Sequence, residues 1–225
     1  MTDIPKFKNK KLFSQAFTHR SYLNETKEQL SSNERLEFLG DSILSFVVSD
    51  FLYKKYPQFN EGVLTNIRSL LVNTKSLASI SKSLGFGELL KLSKGEQVSM
   101  GRQNQSLLAD AFESFIGALY IDQGIEEVIS FLTKVLLKRS EEIVKSKSFK
   151  DPKSLLQEFV QSKRETSPVY KVLSEYGPAH NKKFKIGAYV GGTLTGEGIG
   201  KSKREAEENA AERSLEFLKG DLRSK

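Results

Sequence analysis

From Leu107 to Leu119 the chain is apolar on nearly every helical side, and Asp110 and Glu113 interrupt it. A helix apolar all round belongs in an interior. An isolated carboxylate carried there costs several kcal/mol unless it is paired, protonated or bound to a cation. The spacing puts both acids on one face, beside Ser106, Ser114 and Gly117. Between Arg102 and Lys134 there is no basic residue, so no cation local in sequence neutralises them. A fold that accepts this helix must supply the answer from elsewhere.

A second stretch, Asn33 to Leu44, repeats the problem. At helical pitch Glu34, Glu37 and Asp41 fall within an arc of about 60°. Leu36, Leu39, Ile43, Phe46 and Val47 cover a different side, expected to face the core, while Leu44 and Val48 continue the acidic stripe. After Arg35 no Lys or Arg appears until Lys54. Glu34 sits near the helix start, where acids are favoured in any case. Phe38 lies on another face with Ser42, Ser45 and Ser49, where a partly buried aromatic is an ordinary occurrence.

Acid pairs at i, i+4 and i, i+3 on two helices offer only oxygen donors, which suit a hard divalent ion such as Mg²⁺. Two histidines and no cysteine disfavour a zinc centre. A carboxylate cluster repels a phosphodiester unless a metal intervenes; with one, attack by a metal-activated water is the natural chemistry. No Ser-His-Asp set, phosphate-binding Walker loop or dinucleotide fingerprint competes, and Gly85-Phe86-Gly87 lacks the remaining glycine of such a fingerprint. Two other readings of these residues stand beside this one. The acids can lie on solvated faces, as most helical Asp and Glu do. Alternatively the chain is a di-metal carboxylate bundle, which needs Glu-x-x-His pairs that neither His19 nor His180 supplies.

The helical pattern runs from about residue 5 to 147, over 33–54, 61–73, 104–121 and 124–143. A polar, basic stretch ends it. Asp151-Pro152 then opens a short helix to Gln161. Pro168–Tyr176, Phe184–Val190 and Thr193–Gly198 read as strands separated by Gly-Pro and Gly-Gly turns, and Ser202–Leu218 as a closing helix. Net charge is +7 with pI about 9.3. Residues 151–225 carry 14 basic and 11 acidic residues, against 21 and 17 for 1–150, so the shorter segment is denser in positive charge. That excess suits a polyanion or simply solubility. No apolar run approaches the roughly 18–20 residues of a membrane span, and the absence of cysteine excludes disulfides. The cytoplasm is the expected compartment.

Asn33–Asp41 resembles the signature of the bacterial ribonuclease III family. Leu12–Tyr22 is similar to that family's opening helix, Asn60–Asn73 to its post-signature helix and Leu107–Tyr120 to its second acidic motif. The resemblance implies a mainly α N-terminal endonuclease domain (1–146), a linker (147–150) and an α+β (α-β-β-β-α) double-stranded-RNA-binding domain (151–220). It implies Glu37, Asp41, Asp110 and Glu113 as the metal-binding catalytic quartet, with Asp41 and Glu113 the most sensitive to loss, and Glu34 and Glu61 as auxiliary acids. Mg²⁺ is the expected cofactor, with Mn²⁺ as a substitute. Phe38 is expected at a homodimer contact, plugging a socket on the second subunit. Gln157, Glu158, Gln161 and His180 are expected to reach minor grooves, and Lys201, Lys203 and Arg204 to hold phosphate. The implied activity is cleavage of both strands of duplex RNA, leaving 5′-phosphate and 3′-hydroxyl ends with short 3′ overhangs. Precursors of ribosomal RNA and some messenger RNAs are the implied substrates. No membrane and no nucleotide cofactor is expected. Glu207 stands where the family usually has a third basic residue, an acid that can weaken phosphate binding but that bacterial members of the family often tolerate. His19 is read as a structural hydrogen-bonder at a helix end.

Overall fold

In a computed structural model, residues 4–27, 29–147, 149, 151–178 and 181–221 are described. The chain forms two compact units, Met1–Phe149 and Lys150–Lys225. The first is helical: α1 (Lys10–Ala16), α2 (Arg20–Leu23), α3 (Glu34–Lys55), α4 (Glu61–Val72), α5 (Thr74–Ser83), α6 (Phe86–Leu89), α7 (Lys94–Val98), α8 (Gln105–Gln123), α9 (Ile125–Leu132) and α10 (Arg139–Ser146). Apolar α8 runs through the middle. Phe112, Phe115, Ile116, Ala118 and Leu119 on it are fully buried, and the Phe115 ring packs on Phe7, Phe86 and Phe131 at 5.4, 5.0 and 5.2 Å between centroids. Asn104 starts the helix, its Oδ1 accepting from Ser106 N and Leu107 N at 2.9 and 3.3 Å.

Two glycines bring α3 and α8 into backbone contact. A Cβ on Gly40 would stand 1.8 Å from the Glu113 carbonyl oxygen, and one on Gly117 would stand 2.2 Å from that of Leu36. Leu44, Val48 and Leu52 extend the same seam and are buried. Phe46, expected in the core, is instead 63% exposed. The reason is which side of α3 meets α8: the packed side carries Gly40, so the line that continues the acidic stripe is the inward one.

The helix expected over 124–143 is broken. A π-helical turn, Thr133–Leu137, separates α9 from α10, and Thr133 Oγ1 donates to Ile129 O at 2.7 Å where the break begins. Phe149, in the expected linker, is 5% exposed, with its ring 5.5 Å from that of Phe59. No helix among the described residues is long and apolar enough to cross a membrane.

The second unit is α11 (Pro152–Ser162), β1 (Val169–Tyr176), β2 (Lys183–Val190), β3 (Thr193–Gly200) and α12 (Lys203–Asp221). The three strands are antiparallel in the order β1-β2-β3. Gly191 and Gly192 make the tight turn between β2 and β3 with φ of +57° and +83°, a region open to glycine at little cost. Gly196, Gly198 and Gly200 line one face of β3, and any Cβ there would meet the α12 backbone within 2.5 Å. The helix therefore lies directly on the strand. Leu156, Val160, Ala188, Ala210 and Ala211 close the core between helices and sheet.

Candidate functional site

The α3–α8 seam gathers the acids. Glu37 and Asp41 sit on α3 either side of Gly40; Asp110 and Glu113 sit on α8, before Gly117. Polar crosslinks hold the start of α3 in place. Asn33 N donates to Thr18 O at 2.8 Å, Asn33 Nδ2 to Ala16 O at 3.4 Å, and the buried Ser114 Oγ to Asn33 O at 3.3 Å. With the backbones this close, carboxylate oxygens of Glu37, Asp110 and Glu113 come within 4.8 Å of one another. Asp41 is more exposed and stands at the rim, close enough for its charge to act on Glu37 and Glu113.

Among the described residues no Lys or Arg forms an ion pair with any of these four acids. The electrostatic consequence is plain. Burial, then the neighbouring charges of Asp41, Asp110 and Glu37, push the Glu113 carboxyl up to about 7. Burial and the charges of Asp110, Glu34 and Asp41 raise Glu37. Burial raises Asp110, and His19 opposes that rise. Three carboxylates held together without a cation form a set of hard oxygen donors poised for a divalent ion.

The auxiliary acids are placed differently. Glu34 opens α3, accepts from Ser32 Oγ at 2.9 Å and lies 3.5 Å from the exposed Arg20. Glu61 opens α4, where Thr65 Oγ1 donates to it at 3.2 Å, and it is not one of the clustered acids. Phe38 is 78% exposed on the outer face of α3.

In the second unit Gln157, Glu158 and Gln161 lie exposed on α11. Lys201, Lys203 and Arg204 are exposed at the start of α12, where Ser202 Oγ accepts from Glu205 N at 3.1 Å. Lys203 Nζ is 3.6 Å from Glu175, and Arg204 Nε donates to Glu208 at 2.9 Å. His180 lies outside the described residues. Glu207 is paired within the unit. Lys153 Nζ donates to it at 2.6 Å, joining α12 to α11, so its charge is already balanced within the unit.

Sequence reasoning missed the role of Gly40 and Gly117, although a glycine beside each acid pair was the available signal. It also assigned His19 to structure alone. His19 does cap α2, its Nδ1 accepting from Ser21 N at 3.3 Å, yet it is near enough to Asp110 to act on it.

Comparison with known proteins adds the family. The Ribonuclease-III-like family profile matches residues 9–140, and the Double-stranded RNA binding motif matches 152–218. The chain is 49% identical to Ribonuclease 3 of Anoxybacillus flavithermus over 214 residues, 95% of this chain and 90% of that protein. It is 44% identical to Ribonuclease 3 of Listeria monocytogenes over 213 residues, 94% and 93% of the two. A solved nuclease domain of ribonuclease III from Campylobacter jejuni, described as flexible in a region involved in dimer formation, superposes with a TM-score of 0.55 at 36% identity, covering 60% of this chain and 90% of that one. These matches cover nearly the whole chain: it belongs to the ribonuclease III family and carries a double-stranded-RNA-binding domain.

Proposed function

We propose that this chain is a magnesium-dependent endoribonuclease that cuts both strands of duplex RNA, leaving 5′-phosphate and 3′-hydroxyl ends with short 3′ overhangs. The observation that carries the reading is the meeting of Glu37, Asp110 and Glu113 within 4.8 Å without a Lys or Arg partner. Those three acids, with Asp41 at the rim, would hold the ion. When bound, Mg²⁺, or Mn²⁺ in its place, supplies Lewis acidity that acidifies a water for in-line attack and offsets charge on the phosphoryl oxygens. The chain's own residues do the rest. Gly40 and Gly117 fix the separation of the acid pairs, and the buried seam beneath them excludes water from one side. Glu34 and Glu61 serve as auxiliary acids near the cut phosphate.

The second unit grips duplex shape. Gln157, Glu158, Gln161 and His180 take minor-groove hydroxyls, while Lys201 takes phosphate and Lys203 and Arg204 exchange their local acid partners for phosphates. The boundaries proposed are 1–146, a linker at 147–150, and 151–220; the division of the chain between Phe149 and Lys150 falls within that linker. Two copies pair through the α3 face bearing Phe38, whose exposure supports an isologous contact. The compartment proposed is the cytoplasm, and the substrates are precursors of ribosomal RNA and some messenger RNAs.

The test is an end-labelled RNA duplex incubated with the full chain in Mg²⁺, Ca²⁺ or chelator. Cutting of both strands in Mg²⁺, with binding but little cutting in Ca²⁺, is the expected result. Equal cutting in chelator, or bound duplex left intact in both Mg²⁺ and Mn²⁺, overturns the proposal.

A further inference from the structure

Beside the acid cluster, at the start of α8, lies a cavity of about 610 Å³ that the proposed mechanism does not use; its lining includes His19, Arg20, Asn24, Glu96, Asn104 and Ser106. Its chemistry is mixed. Arg20 and Glu96 bring one charge of each sign, and Asn24, Asn104 and Ser106 bring neutral donors and acceptors. Such a wall does not select an anion. It suits hydroxyl groups, which donate and accept at once.

His19 is oriented by its own segment. Ser21 Oγ accepts from Ser93 N at 3.1 Å, which leaves its hydrogen for His19 Nδ1, 2.8 Å away. Ser21 N donates to the same Nδ1. With Nδ1 accepting from Ser21, the ring hydrogen is carried on Nε2. That N–H has no partner among the described residues. Asn104 uses its Oδ1 to cap α8, so its amide hydrogens remain available, as does the Ser106 hydroxyl. Asp110 follows Ser106 by four residues, a step of about 6 Å along the helix. That is the length scale of one nucleotide.

We infer that this cavity receives a ribose 2′-hydroxyl of the strand being cut, next to the phosphate held at the acids, and so helps distinguish RNA from DNA. His19 Nε2–H, the Asn104 amide and the Ser106 hydroxyl donate to the sugar oxygen, and the Glu96 carboxylate is available to accept its hydrogen. The inference deepens the proposed duplex-RNA cleavage and rests on it.

The test walks single 2′-deoxy substitutions through the nucleotides flanking the cut, with the full-length wild-type chain, His19→Asn and Ser106→Ala. Asparagine preserves the α2 cap while withdrawing the Nε2 donor, and Ser106→Ala removes only an exposed hydroxyl. In the wild type one sugar is expected to cost about fivefold in kcat/KM when its hydroxyl is removed. In the two variants that same substitution costs little more. A full deoxy penalty at every position in both variants, or no sensitive sugar near the cut in the wild type, overturns the inference. So does a lower kcat in His19→Asn with an unchanged deoxy profile, which marks action through Asp110 instead. A wild-type chain that cuts no duplex sinks the underlying function as well.

Discussion

In the second unit Glu175 pairs with Lys182 and Lys203, Glu197 with Lys185, Glu207 with Lys153 and Glu208 with Arg204; in the first, Glu37, Asp110 and Glu113 are packed together with no Lys or Arg between them. The two regions hold acids in opposite ways. Partly exposed pairs like those of the second unit contribute about 0–1 kcal/mol each and exchange readily, so their cations remain free to move to phosphate. The acids of the first unit repel one another, and the α3–α8 seam imposes that repulsion on them. Charge in the second unit decorates the fold, whereas in the first it works against it. Perturbed carboxylates gathered in this way mark a candidate site.

The contrast breaks most sharply at the acids themselves. Asp41→Ala or Glu113→Ala is expected to lower cleavage on the order of a thousandfold, with duplex affinity unchanged in a gel-shift assay in Ca²⁺. Loss of binding in parallel would show that the two regions do not divide the labour.

Next comes the seam. Gly40→Ala places a methyl carbon 1.8 Å from a backbone oxygen, and the helices must separate, at about 3 kcal/mol or more. A lower thermal midpoint and weak cleavage together are expected. Gly62→Ala is the control. Its methyl would meet only Asn60 Oδ1 at 3.7 Å, and a helical Gly→Ala change is mildly stabilising. Equal melting of the two variants would remove the seam from the explanation.

The repulsion sharpens with pH. Glu113 has its pKa raised from 4.5 to about 7, so the folded, metal-free protein binds this proton more tightly than the unfolded chain. Stability from this group therefore falls as pH rises from about 4.5 to 7, and the cost is complete above 7. Glu113→Gln is expected to raise the metal-free melting point above pH 7 by about 2–4 °C, the response to about 1 kcal/mol after discounting for partial exposure. The gain shrinks as pH falls through that window. A stabilisation independent of pH would point to packing rather than charge.

The smallest effect belongs to the second unit. Glu207→Gln is expected to change duplex affinity by less than about twofold, since Lys153 already balances that acid at 2.6 Å. A tenfold gain measured by the same gel shift would mean that the carboxylate faces the RNA after all.

Much of this was legible in the linear chain. The apolar run around Asp110 and Glu113, and the want of nearby cations, already set these acids apart from ordinary surface carboxylates. The Gly-Gly turn after Val190, the Asp151 cap and the alternating strands marked the second unit within a residue or two at most ends. Other features were not legible. Phe46 lies on a line of α3 as apolar as the buried one, and only the position of α8 separates them. The break at Thr133 competes locally with a continuous helical pattern, and α5 is polar enough to escape a reading by periodicity. The balance of Glu207 by Lys153 joins residues 54 apart, beyond any local rule.

Composition and spacing by themselves determined that acids on two largely apolar helices lack basic neighbours in sequence, because the apolar pattern sets which faces pack and the residues set the charge. Which acids touch, how far Asp41 stands off, and what faces the cavity at His19 were decided by tertiary structure alone. Those distances depend on how closely two backbones approach, and that is set by absent side chains at Gly40 and Gly117, whose effect exists only once the helices cross.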